Sequence, residues 1–180
     1  MKKLHLGCGK RFIPGFVHVD VDAHPHVDHV GDIRDLGEFA EGCAELIYCC
    51  HCFNFFDDEE APAVLAEWRR VLAPGGILRL SVPDFDAACR AYLFFEKIQP
   101  VQRLVNGYYK TESGAIYYRT LYDERTLGQL LLRCGFENPH RYDWRATEHA
   151  GVDDYAQAYL PHMDKEKGLL MSLNMEAGKP

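Results

Sequence analysis

Four residues that could bind a metal ion lie close together near the start of the chain. In order they are His24, His26, Asp28 and His29, which form the string H-x-H-x-D-H. Histidine nitrogens and carboxylate oxygens are common zinc ligands, so this string is a candidate metal site. The alternative is a loop between two strands whose histidines share no ligand.

A second group of candidate residues follows the first predicted strand. In LHLGCGK, an apolar strand runs into a glycine turn at Gly7 and Gly9, and glycine lets a ligand approach the backbone closely. Asp20 ends the second strand, and Asp32 follows a little later. In an open α/β sheet these positions converge on one crevice, where a carboxylate can accept both hydroxyls of a ribose. The alternative is a tight turn with two solvated acids.

Hydrophobic periodicity predicts the elements that position these residues. Apolar and β-branched runs indicate four strands, at residues 3–6, 16–22, 45–50 and 77–82. Between the last two, an apolar stripe at helical spacing indicates a helix. Asp57 and Asp58 are its candidate caps, and Pro74-Gly75-Gly76 would end it. This order of strand, helix and strand predicts a parallel βαβ unit.

The second half of the sequence predicts two more helices and then a change of period. One helix runs from about Asp84 into the nineties, and another runs from Asp123 to Cys134. In GLLMSLNMEA, alternation over residues 169–177 predicts a half-exposed antiparallel edge strand. We therefore expect an α/β sheet that is mostly parallel, with an antiparallel strand at its C-terminal end.

Length, charge and cysteine content exclude several classes of protein. The 180 residues suit a single domain, 1–180, with one core. No apolar run approaches the ~20 residues that cross a bilayer, and residues 1–30 lack a secretory signal. We therefore expect a cytoplasmic protein, with no membrane partner, whose seven cysteines are reduced. The net charge of −7 argues against a nucleic-acid partner. The oligomeric state is not indicated.

Taken together, the motifs of residues 3–86 resemble class I S-adenosylmethionine-dependent methyltransferases. They are most similar to a small subgroup that carries S-V-P-D after the central strand. The matching motifs are L-x-L-G-C-G-K, G-F-V-H-V-D, G-D-I, E-L-I-Y, E-W-R-R-V-L-A-P-G-G and S-V-P-D. The resemblance implies a Rossmann-like, seven-stranded sheet whose last strand is antiparallel, in agreement with the period change at 169–177.

The resemblance also implies a cofactor, S-adenosylmethionine, with S-adenosylhomocysteine as the product. It sets the glycine turn against the methionine part and Asp20 on the ribose, helped by Asp22. Asp32 and Ile33 would border the adenine. The residues that it assigns to the cofactor are Leu6, Gly7, Cys8, Gly9, Asp20, Val21, Asp22, Asp32, Ile33, Cys50 and His51.

For catalysis, the candidate residues are His51, Asp84 and Asn54. Methyl transfer is an in-line displacement, so the protein mainly aligns the reactants and removes the acceptor's proton. His51 either acts as a general base, since histidine titrates near working pH, or hydrogen-bonds the methionine end of the cofactor. Asp84 would orient His51 or hold an acceptor hydroxyl, and Asn54 would only position. We expect a small polar acceptor, and the resemblance implies a saccharide or glycan precursor.

The segment 96–122, with its tyrosine-rich part at 108–122, is a candidate cap over the acceptor site. The alternative is a satellite apolar cluster under a long connection.

The sequence departs from the family pattern at two places. Only six residues separate Gly9 from Phe16, and six separate Asp22 from His29, whereas parallel connections usually need about a dozen. We expect the first two crossover helices to be vestigial or absent. In addition, His51-Cys52-Phe53-Asn54-Phe55 stands where relatives often have H-x-L-E-H, which leaves a cofactor-binding regulator without catalysis as an alternative function.

The histidine string is also similar to the ligand motif of metallo-β-lactamase-like zinc hydrolases. In that family the motif follows a substantial N-terminal sheet, whereas here only 23 residues precede it. We therefore expect no metal, and the zinc hydrolase is the less favoured alternative. Cys49, Cys50, His51 and Cys52 are adjacent and would alternate faces on a strand, which favours small buried hydrophobes over a shared metal site.

Overall fold

A computed structural model describes residues 1–111 and 114–180. The strands in the described residues are β1 Lys2–Leu6, β2 Val17–Asp20, β3 His29–Val30, β4 Ala44–Cys50, β5 Leu72–Pro83, β6 Tyr108–Thr111, β7 Gly114–Tyr117, β8 Glu137–Arg141, β9 Tyr159–Leu160, β10 Leu169–Leu170 and β11 Ser172–Gly178. The α-helices are α1 Ala61–Val71, α2 Phe85–Phe95, α3 Gln99–Val105 and α4 Glu124–Arg133.

Seven of these strands form one sheet in the order β3-β2-β1-β4-β5-β11-β8. The first five strands of this order pair in parallel. Strand β11 runs antiparallel to both β5 and β8. This arrangement confirms the predicted α/β, Rossmann-like sheet with an antiparallel C-terminal strand.

One face of the sheet packs against α1 and α4 to form the main hydrophobic core. Leu65 and Trp68 of α1 are fully buried there, together with Leu127 of α4. The Trp68 indole Nε1 also donates a hydrogen bond to the Ile33 carbonyl at 2.7 Å. This bond fixes the segment after β3, which borders the carboxyl ends of the central strands.

The boundaries of α1 differ from the prediction at both ends. Asp57 Oδ1 accepts hydrogen bonds from the backbone N–H groups of Glu59 and Glu60, so it caps a turn before the helix, and α1 begins only at Ala61. At the other end, Leu72 is already extended, so β5 begins there and includes the Pro-Gly-Gly segment. By contrast, Asp84 and Asp123 precede α2 and α4 as expected and accept backbone hydrogen bonds there.

The first crossovers contain no α-helix, as their length predicted. Backbone hydrogen bonds close them instead: Gly7 N–H donates to the Val19 carbonyl at 2.8 Å, and Gly31 N–H donates to the Asp20 carbonyl at 2.9 Å. The sheet face that such helices would cover carries the aromatic stack of His5, Tyr48 and His149. His149 comes from the irregular segment 142–158, which takes the place of the helices.

Strand β11 was expected at an edge of the sheet, but it lies between β5 and β8, and that expectation was wrong. The predicted alternation is present, since Leu173 and Met175 enter the core. The polar side chains on the opposite face, Ser172 and Asn174, are buried rather than solvated. The Asn174 amide donates to the Ala156 carbonyl at 2.9 Å, so the segment 142–158 supplies the polar partners that water would otherwise provide.

Helix α3 and the β6–β7 hairpin were not predicted. Their sequence has neither a long apolar stripe nor regular alternation, and β6 and β7 contain no buried side chain in their described residues. Among the described residues, the helices are too short or too polar to cross a bilayer.

Candidate functional site

A cleft of about 580 Å³ lies at the carboxyl ends of β1, β2 and β4. Its volume is within the range of small-molecule sites. The sheet side is lined by Gly7, Cys8, Gly9, Asp20, Val21, Asp32, Ile33, Cys50 and His51. The β6–β7 hairpin and the residue that follows it contribute Tyr108, Tyr109, Ile116 and Tyr118 to the opposite side. The cleft thus brings together nine of the eleven residues predicted to bind the cofactor.

The glycine turn needs glycine for two different reasons. Gly7 and Gly9 have φ angles of 63° and 52°, in the left-handed region that glycine enters without strain. A Cβ on Gly7 would lie 2.5 Å from Cys52 Sγ, so packing alone excludes a side chain there. At Gly9 the nearest atom to such a Cβ would be the Tyr109 hydroxyl at 3.7 Å. The backbone at Gly9 is therefore open toward the cleft.

Asp20 is fixed to this turn by both of its carboxylate oxygens. Gly9 N–H donates to Oδ2 at 2.7 Å, and Asp22 N–H donates to Oδ1 at 2.9 Å. The side chain is buried but lines the cleft. Since each carboxylate oxygen can accept more than one hydrogen bond, Asp20 retains acceptor capacity for a ligand hydroxyl.

Asp22 lies beside this site but does not line the cleft. The Tyr109 hydroxyl of the hairpin lies near the Asp22 carboxylate. Burial, together with the negative charges of Asp20 and Asp22, raises the pKa of Tyr109 to about 12. Tyr109 is thus a neutral hydrogen-bond donor at any physiological pH.

Charged residues form the rim of the cleft near Asp32. Arg34 Nη2 lies 2.6 Å from Asp32 Oδ2, and its Nη1 lies 3.2 Å from Glu60. Arg119 in turn lies 2.8 Å from Glu60. Burial raises the pKa of Asp32, but the hydrogen bonds from Arg34 outweigh this effect and leave the pKa below its ordinary value. These ion pairs join the end of β3 to the segment that follows the hairpin.

His51 closes the opposite end of the cleft. Its Nε2 lies 3.0 Å from the Ser172 hydroxyl, which also lies 3.0 Å from Asn174 Oδ1. Asn174 donates through Nδ2, so its Oδ1 atom is an acceptor. The Ser172 hydroxyl therefore donates its proton to Asn174 Oδ1, and Ser172 accepts the hydrogen bond from His51. The proton of His51 is therefore on Nε2, which leaves Nδ1 as the acceptor. Burial lowers the pKa of His51 to about 3, so the ring is neutral at pH 7.

Besides Asp22, three further predicted site residues, Leu6, Asn54 and Asp84, do not line the cleft. Leu6 and Asn54 are fully buried, and Leu6 belongs to the main core. Asp84 caps α2 and lies 3.0 Å from Arg141 Nη2, whereas His51 pairs with Ser172. The carboxylate of Asp84 thus faces a helix end and a cation rather than His51.

Sequence reasoning missed Asp154 and Tyr155, both of which line the cleft. Asp154 Oδ2 accepts a hydrogen bond from the Tyr48 hydroxyl at 2.6 Å, and its Oδ1 accepts one from Ala156 N–H at 2.9 Å. Burial raises the pKa of Asp154, against the effect of the Tyr48 hydrogen bond. The Tyr155 ring packs beside His51 with centroids 5.2 Å apart. No motif surrounds these residues, so no local signal could have identified them.

The histidine string does not form a common ligand set. Asp28 Oδ2 accepts from His18 N–H at 2.8 Å, and His29 Nδ1 lies 2.6 Å from Glu38 Oε2. The rings of His24 and His26 stack on each other. Within residues 1–111 and 114–180, no three ligating side chains lie close enough together to hold a metal ion.

The chain is similar in fold to known proteins, and part of its sequence matches a known domain. Residues 4–80 match the model of a methyltransferase domain. No curated protein matches the chain. Among solved structures, it is similar to the Burkholderia thailandensis 1,6-didemethyltoxoflavin-N1-methyltransferase with bound 1,6-didemethyltoxoflavin and S-adenosylhomocysteine. That match has a TM-score of 0.58 at 17% identity and covers 99% of this chain and 72% of the other.

Two further structures give the same result. An S-adenosylmethionine-dependent methyltransferase from Archaeoglobus fulgidus matches with a TM-score of 0.60 at 13% identity, over 99% of this chain and 86% of the other. A possible histamine N-methyltransferase from Thermotoga maritima matches with a TM-score of 0.54 at 15% identity, over 99% and 82%. The chain therefore has the Rossmann-like fold of S-adenosylmethionine-dependent methyltransferases.

Proposed function

We propose that the protein transfers the methyl group of S-adenosylmethionine to a small polar acceptor. The observation that carries this proposal is the Asp20 carboxylate, which is locked onto an open glycine turn inside a cleft at the carboxyl ends of the strands. In sheets of this kind, such a position is where nucleotide cofactors bind. The match of residues 4–80 to a methyltransferase domain supports the same function.

The residues present fit this cofactor. Gly9 leaves backbone open to the cleft, and Asp20 has acceptor capacity for the two ribose hydroxyls. Asp32 and Ile33 offer a polar and an apolar border for the adenine. Lys10 and Arg11 also line the cleft, and their positive charges suit the carboxylate of the methionine part. Leu6 would act only through packing beneath the turn.

When bound, S-adenosylmethionine supplies an electrophilic methyl group on a sulfonium. The residues of this chain would align the acceptor and remove its proton. His51 is neutral and presents Nδ1 as an acceptor, so it can hydrogen-bond the cofactor's ammonium group or take the acceptor's proton. Asp154 is a second candidate base, because it is buried in the cleft wall and burial raises its pKa. Asp84 and Asn54, the other predicted catalytic residues, would support the site from behind.

We propose a saccharide or glycan precursor as the acceptor, on the basis of the S-V-P-D resemblance. The pairs Phe55–Tyr118 and His51–Tyr155, with ring centroids 5.1 and 5.2 Å apart, present flat apolar surfaces beside the polar groups of His51 and Asp154. Sugar rings bind to such surfaces. The residues 96–122 would then cap the acceptor as well as the cofactor; this segment includes residues 112–113, which lie outside the described part of the chain.

Calorimetric titration with S-adenosylmethionine and S-adenosylhomocysteine tests the cofactor. We expect micromolar dissociation constants, equivalent to ~8 kcal/mol. Release of S-adenosylhomocysteine is then followed with a panel of free sugars, nucleotide sugars and planar heteroaromatics. No binding of either compound would overturn the proposal, whereas binding with no turnover on any member would favour a cofactor-binding regulator.

We also propose a reducing compartment such as the cytoplasm and the absence of a nucleic-acid partner. All seven cysteines are free thiols, and the net charge is −7. A gel-shift assay with single- and double-stranded oligonucleotides at physiological salt should show no complex.

A further inference from the structure

The β6–β7 hairpin covers the cofactor half of the cleft. Tyr108 and Tyr109 of β6 and Ile116 of β7 line the cleft, and the Tyr109 hydroxyl lies next to Gly9 of the glycine turn. At the base of the hairpin, the Tyr118 N–H donates to the Gly107 carbonyl at 3.0 Å. A Cβ on Gly107 would lie 2.4 Å from the Tyr118 ring and 2.6 Å from the Arg103 carbonyl. The base of the hairpin is therefore closely packed, while its strands project over the cleft.

The described residues of the hairpin bury little of their side-chain surface. None of the side chains of β6 or β7 is buried, so apolar packing contributes little to the position of the hairpin. An isolated two-stranded hairpin is only marginally stable in water. Contacts at individual side chains must then decide whether the hairpin stays closed.

Tyr109 brings a polar group of the hairpin to the candidate cofactor site. Its hydroxyl lies over Gly9, near the carboxylates of Asp20 and Asp22. Asp22 is in turn connected to Asp20 through its backbone N–H. One hydroxyl of the hairpin thus reaches the acids and the glycine turn at the same point.

We propose that Tyr109 is a cofactor-binding residue and that it closes the β6–β7 hairpin as a lid over the ribose. This inference rests on the proposed function, since it requires S-adenosylmethionine in the cleft. The Tyr109 O–H donates to the oxygen of a ribose hydroxyl whose own proton is donated to Asp20. A bound ribose then connects the hairpin to the ends of the strands.

Titration of S-adenosylhomocysteine into Tyr109→Phe tests the proposal without an acceptor. The variant keeps the ring and loses only the hydroxyl, and we expect the dissociation constant to rise by about 3- to 10-fold, as for one hydrogen bond. The dissociation rate, measured by stopped flow, should account for most of this change. The matched control is Tyr117→Phe, which removes the same group from the same hairpin at an exposed position that does not line the cleft.

Amide hydrogen exchange provides the second measurement. Binding of S-adenosylhomocysteine should protect the amides of residues 108–111 and 114–117 in the parent protein, and the protection should be smaller in Tyr109→Phe. If parent and Tyr109→Phe bind equally tightly, or if the hairpin gains no protection, the lid inference is overturned while the cofactor proposal stands. If the parent does not bind S-adenosylhomocysteine, the proposed function itself fails.

Discussion

At the scale of single residues, Asp20 connects the glycine turn to the end of β2 through both carboxylate oxygens. Replacing Asp20 with alanine removes the charged acceptor for the ribose and frees the Gly9 N–H. We expect Asp20→Ala to weaken S-adenosylhomocysteine binding by roughly 1–3 kcal/mol, the usual cost of losing charge-assisted hydrogen bonds. Calorimetry measures this, with the exposed Asp35→Ala as the control. Parental affinity in Asp20→Ala would rule out the ribose assignment.

His51 has two candidate roles, which substitution distinguishes. A general base lost in His51→Ala should lower turnover by ~10²–10⁴-fold with little change in cofactor affinity, whereas a cofactor ligand should lose affinity. Since His51 has a φ of 51°, the matched variant is His51→Asn, because asparagine tolerates this backbone region better. An alanine variant with parental binding and turnover excludes both roles.

The pH dependence of turnover tests the electrostatics of the same residue. Burial lowers the pKa of His51 to about 3, so His51 stays deprotonated throughout the range in which an ordinary histidine titrates. We expect kcat/KM to show no acidic limb near pH 6.5. An acidic limb at that pH that disappears in His51→Asn would contradict the neutral, buried histidine.

At the scale of elements, short-range patterns predicted the glycine turn, the acids that follow it and the strands β1, β2, β4, β5 and β11. Strand ends are set by local sequence, and a parallel sheet brings such ends together. The partners of Asp84 and the presence of Asp154 in the cleft were not predictable in this way. Asp154 meets Tyr48 across 106 positions of sequence, and that contact depends on how the irregular segment 142–158 packs on the sheet.

The same packing explains the error about β11. Alternation in a sequence shows which side chains share a face, but it does not show what covers that face.

Asn174→Ala should remove the bonds to Ser172 and the Ala156 carbonyl and destabilise the fold by about 1–3 kcal/mol, because buried groups lose their partners. Urea unfolding measures the loss. The exposed Gln129→Ala should stay within ±0.5 kcal/mol, and an equally small effect of Asn174→Ala would show that this face is hydrated.

At the scale of the whole molecule, the histidines buried on the sheet face that lacks crossover helices make stability depend on pH. Burial lowers the pKa of His5 to about 3 and that of His149 to about 4, and like charges nearby add to the effect on both. Burial also lowers the pKa of His18, against its hydrogen bond with Asp28. In the unfolded chain these histidines titrate near 6.5. Acid therefore adds protons to the unfolded chain before it adds them to the folded protein.

The sign of the effect follows from these pKa values. The stability contributed by neutral histidines is complete above about pH 6.5 and is lost as the pH falls toward the folded pKa values. We expect the urea midpoint to decrease steadily between about pH 7 and pH 5. Glu148, whose pKa is about 2 because the bonds from Arg79 and Lys3 outweigh its burial, adds a loss of the same sign only below its ordinary pKa of 4.5.

His149→Phe keeps an aromatic ring against Tyr48, whose centroid lies 4.1 Å away, and removes one titrating group, so its midpoint should vary less with pH than the parent's. The exposed His162→Gln should retain the parental slope, and an identical slope in His149→Phe would show that the acid sensitivity arises elsewhere.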